Sequence, residues 1–271
     1  MRIKTALFIF ITIIAFLFNC GKSDETYTIE IKDGVNYVHN IAPAWGDEPK
    51  VEIEFVQKIG EYDTEDENYM LYRVMDIARD SDGNIYVVDA GNYRIQKYDS
   101  NGQYLATFGR KGQGPSEFEY PRSIGLASNG NMYIYDQGNS RISVLSKEGR
   151  ELRTFKFGER AAEFQMLRSD EFITKNISGI ITDSFDALSE PVTEYTLPLI
   201  QIYSNKGELL REFGKPFDYK DIFVNRSGNQ FYSCSDNNNF IYITFMYHNR
   251  VEKYSSEGEL LLTVDRPGLL E

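Results

Sequence analysis

Histidine and cysteine are nearly missing from these 271 residues, with two of each. The catalytic inventory is correspondingly thin. His39 and His248 are the only general bases of the usual kind, and no Gly-x-Ser-x-Gly elbow, His-Glu-x-x-His pair or Cys and His signature accompanies them. No catalytic residue, cofactor or metal site is therefore expected. Positive charge is also short, with 29 Lys and Arg against 41 Asp and Glu and a net charge of −12. Such a surface repels a phosphate backbone, which excludes nucleic acid as a partner. Cysteine scarcity limits crosslinking too, because Cys20 and Cys234 are the whole supply. Cys234, in FYSCSD, has a strand-like context and reads as a small buried hydrophobe.

Long apolar runs are confined to one place. After Arg2 and Lys4, thirteen residues from Ala6 to Phe18 carry no charge, and Asn19 and Cys20 follow. This is a charged n-region and an h-region of secretory length, short for a membrane span. Leu17 and Cys20 resemble a bacterial lipoprotein signal, in which the leader is removed and the Cys is acylated; an uncleaved N-terminal anchor is the alternative. Acylation of Cys20 would leave no internal disulfide, and loss of Arg2 and Lys4 would take the formal charge from −12 to −14. The polar GKSDETYT that follows resembles the acidic export signals of surface-exposed lipoproteins in the Bacteroidetes group. The expected organisation is a lipoprotein signal over 1–20, a tether and lead-in over 21–50, and a folded body over 51–271 in the cell envelope.

What the body has in plenty is aromatic residues, 19 Tyr and 18 Phe, which suit pleated and half-buried surfaces. It also repeats. SDGNIYVVDAGNYRIQKYDSNGQYLATFG (Ser81 to Gly109) and SNGNMYIYDQGNSRISVLSKEGRELRTFKFG (Ser128 to Gly158) align 47 residues apart. Each reads as short strands parted by turn chemistry, with Asp82-Gly83 and Asn101-Gly102 as hairpin signals. Four short antiparallel strands per unit make a propeller blade. LIQIYSNKGELLREFG and NRVEKYSSEGELLLTV repeat the last two strands, and the turn glycines Gly102, Gly149, Gly207 and Gly258 fall 47, 58 and 51 residues apart. The surplus in the third unit is assigned to DSFDALSEPVTEYT (Asp183 to Thr196), since insertions collect in exposed loops.

GNIYVVDAGNYRIQKYDSNGQYLATFG followed by GRKGQGPSEFEYP resembles an NHL repeat, and the chain resembles the bacterial 6-bladed β-propeller lipoproteins built from it. The resemblance runs from about Val51 to Pro267 and implies an all-β propeller of four-stranded blades. In that family VEIEFVQKIG (Val51 to Gly60) would be the outer strand that closes the ring. At 47 residues a blade, the 221 residues from Val51 make about 4.7 blades. Four clear blades and a partial one, a truncated six-bladed ring, are expected.

The repeat places Asp89, Asn92 and Arg94 in one unit and Asp136, Asn139 and Arg141 in the next; Arg250 recurs in the fourth and Leu199 replaces it in the third. A position that belongs to the repeat points to bracing of strands and blades by the Arg fork, ahead of a ring of ligand-binding cations. GRKGQG lacks the Lys-Ser/Thr of a phosphate cradle and reads as an inter-blade linker. EYDTEDE (Glu61 to Glu67) reads as a solvated loop. Function is expected to be binding of a protein or glycan partner on a membrane-tethered platform, with Phe185, Asp186, Glu194 and Tyr195 of the insertion as contact residues. The alternative is a metal-dependent propeller hydrolase or lyase, lactonase-like.

Overall fold

Sixteen short segments alternate with turns, several of them built on a glycine at positive φ, and the chain turns them into four antiparallel blades. The computed structural model describes residues 26–41, 52–61, 63–157, 161–176, 198–221, 224–225 and 228–265. Cys20 and the insertion residues Phe185, Asp186, Glu194 and Tyr195 lie outside them. Two strands precede the repeats, β1 (Tyr27–Lys32) and β2 (Val35–Asn40). Blade 1 holds β3 (Val74–Arg79), β4 (Ile85–Asp89), β5 (Arg94–Tyr98) and β6 (Tyr104–Phe108). Blade 2 holds β7 (Pro121–Leu126), β8 (Met132–Asp136), β9 (Arg141–Leu145) and β10 (Glu151–Lys156). Blade 3 is β11 (Ala161–Met166), β12 (Phe172–Asn176), β13 (Ile200–Tyr203) and β14 (Leu209–Phe213), and blade 4 is β15 (Phe231–Ser235), β16 (Ile241–Phe245), β17 (Arg250–Tyr254) and β18 (Leu260–Asp265). Within each blade the strands pair in chain order, all antiparallel.

Apolar residues fill the gaps between blades. Val88, Ile95, Ile124 and Ile134 join blades 1 and 2; Tyr135, Ile142, Phe164 and Phe172 join blades 2 and 3; Ile173, Ile202, Ile243 and Phe245 join blades 3 and 4. Blade 2 is covered on both faces, so every residue of β8 is buried. The rear face of blade 1 is covered over β5 and β6 by the segment that enters the blade, while Ile77 of β3 on the same face is 66% exposed. Tyr98 Oη donates to the Asn68 carbonyl at 2.7 Å, Gln96 Nε2 donates to the same oxygen at 3.2 Å, and the Tyr104 N–H donates to Tyr69 Oη at 3.0 Å.

The turn glycines also set the stagger between blades. A Cβ on Gly149 would stand 2.1 Å from Phe108, one on Gly207 2.5 Å from Phe155, and one on Gly258 2.6 Å from Phe213. Each turn thus rests on the outer strand of the blade before it. The turn of blade 1 follows the rule with Ile59, 3.1 Å from the Cβ position of Gly102.

Two expectations are corrected, on residues 52–60 and on Cys234, and the lead-in gains structure. Residues 52–60 sit beside blade 1 as an outer strand would, with Gln57 Nε2 donating to the Ser100 carbonyl at 3.3 Å, yet they join no ladder. A strand needs a neighbour to take its N–H and C=O groups, and none stands beside them among the described residues. The lead-in over 21–50 contains a β-hairpin, turned by Asp33 and Gly34 at positive φ. Its second strand pairs parallel with β18, widening blade 4 to six strands in the order β1-β2-β18-β17-β16-β15. Cys234 is exposed, because it stands on the face of β15 opposite to that which packs on blade 3.

Candidate functional site

The repeated polar residues meet at one end of each blade. In blade 1 the fully buried Asp89, last residue of β4, accepts from the Tyr72 N–H at 2.8 Å, from Asn92 Nδ2 at 2.9 Å and from Arg94 Nε at 2.8 Å. The Arg94 Nη2 then reaches the carbonyls of Glu67 and Met70, both at 2.8 Å. EYDTEDE is solvated as expected, with Glu61, Asp63, Glu65, Asp66 and Glu67 exposed, and it is tied to blade 1 through the Glu67 carbonyl. In blade 2 Asp136 accepts from the Tyr120 N–H at 2.8 Å and from Asn139 Nδ2 at 2.6 Å, while Arg141 donates to the carbonyls of Gln113, Gly114 and Glu117. In both blades the Arg fork clamps backbone oxygens of the linker that enters the blade.

Blade 4 departs from this design. Phe245 stands where the Asp belongs and His248 where the Asn belongs, so Arg250 has no carboxylate at the end of the second strand. It pairs instead with Asp265 of β18 through two bonds, 2.7 Å and 2.9 Å long. The linker is held by other means. Buried Asn229 donates to the carbonyls of Phe217 and Asn225 and accepts from the Phe217 N–H, and Asn225 Oδ1 accepts from the Tyr219 N–H. The ring of Phe217 stacks on His248 at 3.8 Å and lies under the Arg250 guanidinium at 5.2 Å. His248 Nε2 meets Tyr219 Oη. Burial, then the charge of Arg250, push the imidazole below its ordinary pKa, while Asp265 opposes them.

Released from linker duty, Arg250 lines a cleft of about 840 Å³ between blades 3 and 4. Tyr37, Phe217 and Tyr254 give it aromatic walls, and Lys215, Asp218, Lys220 and Glu252 supply charge. Glu252 is buried; it accepts from Tyr254 Oη at 2.6 Å and lies 3.8 Å from Arg250 Nη1. Burial raises its carboxyl pKa, with the Tyr254 bond and Arg250 acting the other way. Asp218 is held down at about 2 by Lys220, by the Lys220 N–H and by Asn225. Pro198, where the described chain resumes after the third-unit insertion, also lines the cleft.

A second cavity, about 360 Å³, lies where the inner strands converge, lined among others by Asp76, Arg122, Gln165 and Lys175. Two of its polar groups tie blades together, Asp76 by accepting the Ile124 N–H at 2.9 Å and Lys175 Nζ by donating to the Phe231 carbonyl, while Gln165 Oε1 and Thr174 Oγ1 are buried without a hydrogen-bond partner among the described residues. Among the described residues no three His, Cys, Asp or Glu side chains gather as a metal site requires. Sequence reasoning named Arg250 but missed Glu252, Tyr254 and Tyr37. The signal available for them was the break in the repeat at Phe245 and His248.

No protein of curated function matches the chain significantly. Among solved structures, a Bacteroides fragilis protein described as exported superimposes with a TM-score of 0.56 at 11% identity, over 76% of this chain and 54% of that one. Virginiamycin B lyase from Staphylococcus aureus gives a TM-score of 0.50 at 15% identity, over 90% of this chain and 70% of the lyase. The chain thus spans little more than half of the exported protein. At these identities the likeness is one of fold alone. Residues 53–173 match the family described as 6-bladed beta-propeller, in agreement with the four-stranded sheets: the chain is all-β and its sheets are propeller blades.

Proposed function

We propose that this propeller is a lipid-anchored binding protein of the cell envelope, attached through Cys20, and that the cleft of blade 4 binds a glycan. The observation that carries the reading is the broken repeat. Where blades 1 and 2 use Asp, Asn and Arg to hold their linkers, blade 4 holds its linker with Asn225 and Asn229 and turns Arg250 toward a cleft. Departures from a local rule concentrate at functional sites. The chemistry suits a polyhydroxylated ligand: aromatic walls cover the apolar faces of sugar rings, and Arg250, Lys215, Lys220 and Glu252 offer donors and acceptors for hydroxyls. The volume falls in the range of small-molecule pockets, roughly 300–1,000 Å³, which favours a glycan over a protein surface. Phe185, Asp186, Glu194 and Tyr195 are further proposed contacts, because the insertion returns to the fold at Pro198, on the cleft wall.

Calorimetric titration of the purified chain with a panel of soluble oligosaccharides tests this. Arg250→Lys keeps the charge and loses the planar fork, so affinity for the bound glycan should fall about tenfold, a loss of about 1.4 kcal/mol. Unaltered affinity in that variant would move the site elsewhere. Mass spectrometry of the recovered glycan separates binding from the lyase or hydrolase reading, since binding returns it intact.

A further inference from the structure

The cavity of about 360 Å³ at the inner strands is lined by residues that depart from the repeat. Strand register aligns Thr174 of blade 3 with Val87, Ile134 and Ile243 of the other blades. It aligns Gln165 with Ala78, Gly125 and Cys234. Blade 3 thus sets a hydroxyl where every other blade keeps a β-branched apolar side chain, and an amide where every other blade keeps a smaller residue. Arg122 arrives by another device. It is the extra residue of a β-bulge in β7, as Met75 is in β3, and a bulge re-aims its side chain. The fold does not use up these groups. Thr174 is 2% exposed, and among the described residues its hydroxyl has no hydrogen-bond partner. Gln165 donates Nε2 to Ser235 Oγ at 3.1 Å and keeps a buried Oε1 that no donor meets. Arg122 donates Nη1 to Gln137 Oε1 at 3.0 Å, and among the described residues no carboxylate pairs with its guanidinium. Unpaired buried groups destabilise a fold unless something else meets them.

We propose that this cavity binds a small carboxylate that also carries a hydroxyl or an amine. The carboxylate pairs with Arg122, whose planar fork suits a bidentate contact, and the hydroxyl or amine donates to Gln165 Oε1 and meets the Thr174 hydroxyl. Charge agrees. In a chain of net charge −12, Arg122 and Lys175 outnumber Asp76 in the lining. Asp76 and Lys175 are fixed by their bonds to the Ile124 N–H and the Phe231 carbonyl, so they act as placed charges. Met75, Phe164 and Ile173 give the carbon skeleton an apolar wall. The volume lies near the lower end of ligand pockets, roughly 300–1,000 Å³, and a single water fills only about 30 Å³. The cavity shares no lining residue with the cleft of blade 4, so this site stands apart from the glycan reading.

Calorimetric titration of the purified chain with L-lactate, L-malate, L-alanine and L-glutamate tests the site. Propionate, which lacks the donor, and alaninamide, which lacks the carboxylate, are the controls. At least one of the four acids should bind, with both controls at least about tenfold weaker, and the hydroxy acids against the amino acids tell which donor is preferred. Arg122→Met, Gln165→Ala and Thr174→Val each install the residue that blade 1 carries at the same place, a choice that favours folding. Each should weaken binding about tenfold. Thr174→Val also removes an unpaired buried hydroxyl, so its urea midpoint should rise while its affinity falls, which a threonine kept for the fold would not show. The proposal is overturned if none of the four acids binds, if either control binds as tightly, if any of the three variants keeps the parental affinity, or if Thr174→Val unfolds at lower urea.

Discussion

Asp136 has no exposed surface and receives hydrogen bonds from two backbone N–H groups and from Asn139. Replacing it with Asn keeps the shape but removes the charge and turns one acceptor into a donor facing other donors. Bonds to a charged acceptor contribute about 1.5–3 kcal/mol, so Asp136→Asn should lower stability by about 2–4 kcal/mol, read as a lower urea midpoint with unchanged slope. An unmoved midpoint would mean that the network does not hold blade 2. Glu252 makes a prediction of opposite sense. Its folded pKa lies above the unfolded value, so its contribution to stability is complete at low pH and is lost as pH rises from about 4.5 through the folded pKa. Relative to the parent, Glu252→Gln should therefore melt at a progressively higher temperature from pH 4 to pH 7. A difference in melting temperature that does not change with pH would show that Glu252 ionises freely.

At the scale of the element, the turn between the third and fourth strands has two tasks. The Gly149 N–H closes the turn on the Ser146 carbonyl at 2.8 Å with φ near +82°, and its bare Cα lets Phe108 of the previous blade approach. Gly34, in the β1–β2 turn, has the same φ but nothing within 4 Å of its Cβ position. The pair separates backbone strain from packing. Gly34→Ala should cost about 1 kcal/mol from φ alone. Gly149→Ala must also displace a buried ring and should cost about 2–4 kcal/mol. Equal losses in thermal unfolding of the two variants would show that the blade stagger does not depend on the glycine contact.

For the whole molecule, the cleft sits against the last of the four blades. Attachment to a membrane would fix how that cleft is presented. Lipid attachment through Cys20 predicts that Cys20→Ala moves the chain from the membrane fraction to the soluble envelope fraction, while the parent protein is released only by detergent. One or two acyl chains account for such retention, at about 0.8 kcal/mol for each buried CH₂. Membrane retention of the Cys20→Ala variant would favour the uncleaved anchor instead.

The sequence by itself determined the blades. Strand alternation and glycine turns act over a few residues, so the period of 47, the four-strand unit and the linkers were legible without a structure. Sequence also marked the Asp, Asn and Arg positions, since a repeated residue implies a repeated environment. Only tertiary structure decided which groups those side chains meet. The carbonyls that Arg94 and Arg141 clamp lie 24 to 28 residues away along the chain, and no local pattern selects them. The same holds for the strands without a local partner. VEIEFVQKIG has the composition of a strand but no neighbour to complete a ladder among the described residues, whereas the lead-in, turned at Asp33 and Gly34, found one in β18 more than two hundred residues later. Pairing satisfies backbone groups wherever an edge is within reach, and reach is a property of the fold. The cleft combines both sources: sequence broke the repeat at Phe245 and His248, and folding placed Tyr37, Phe217 and Glu252 around the Arg250 it released.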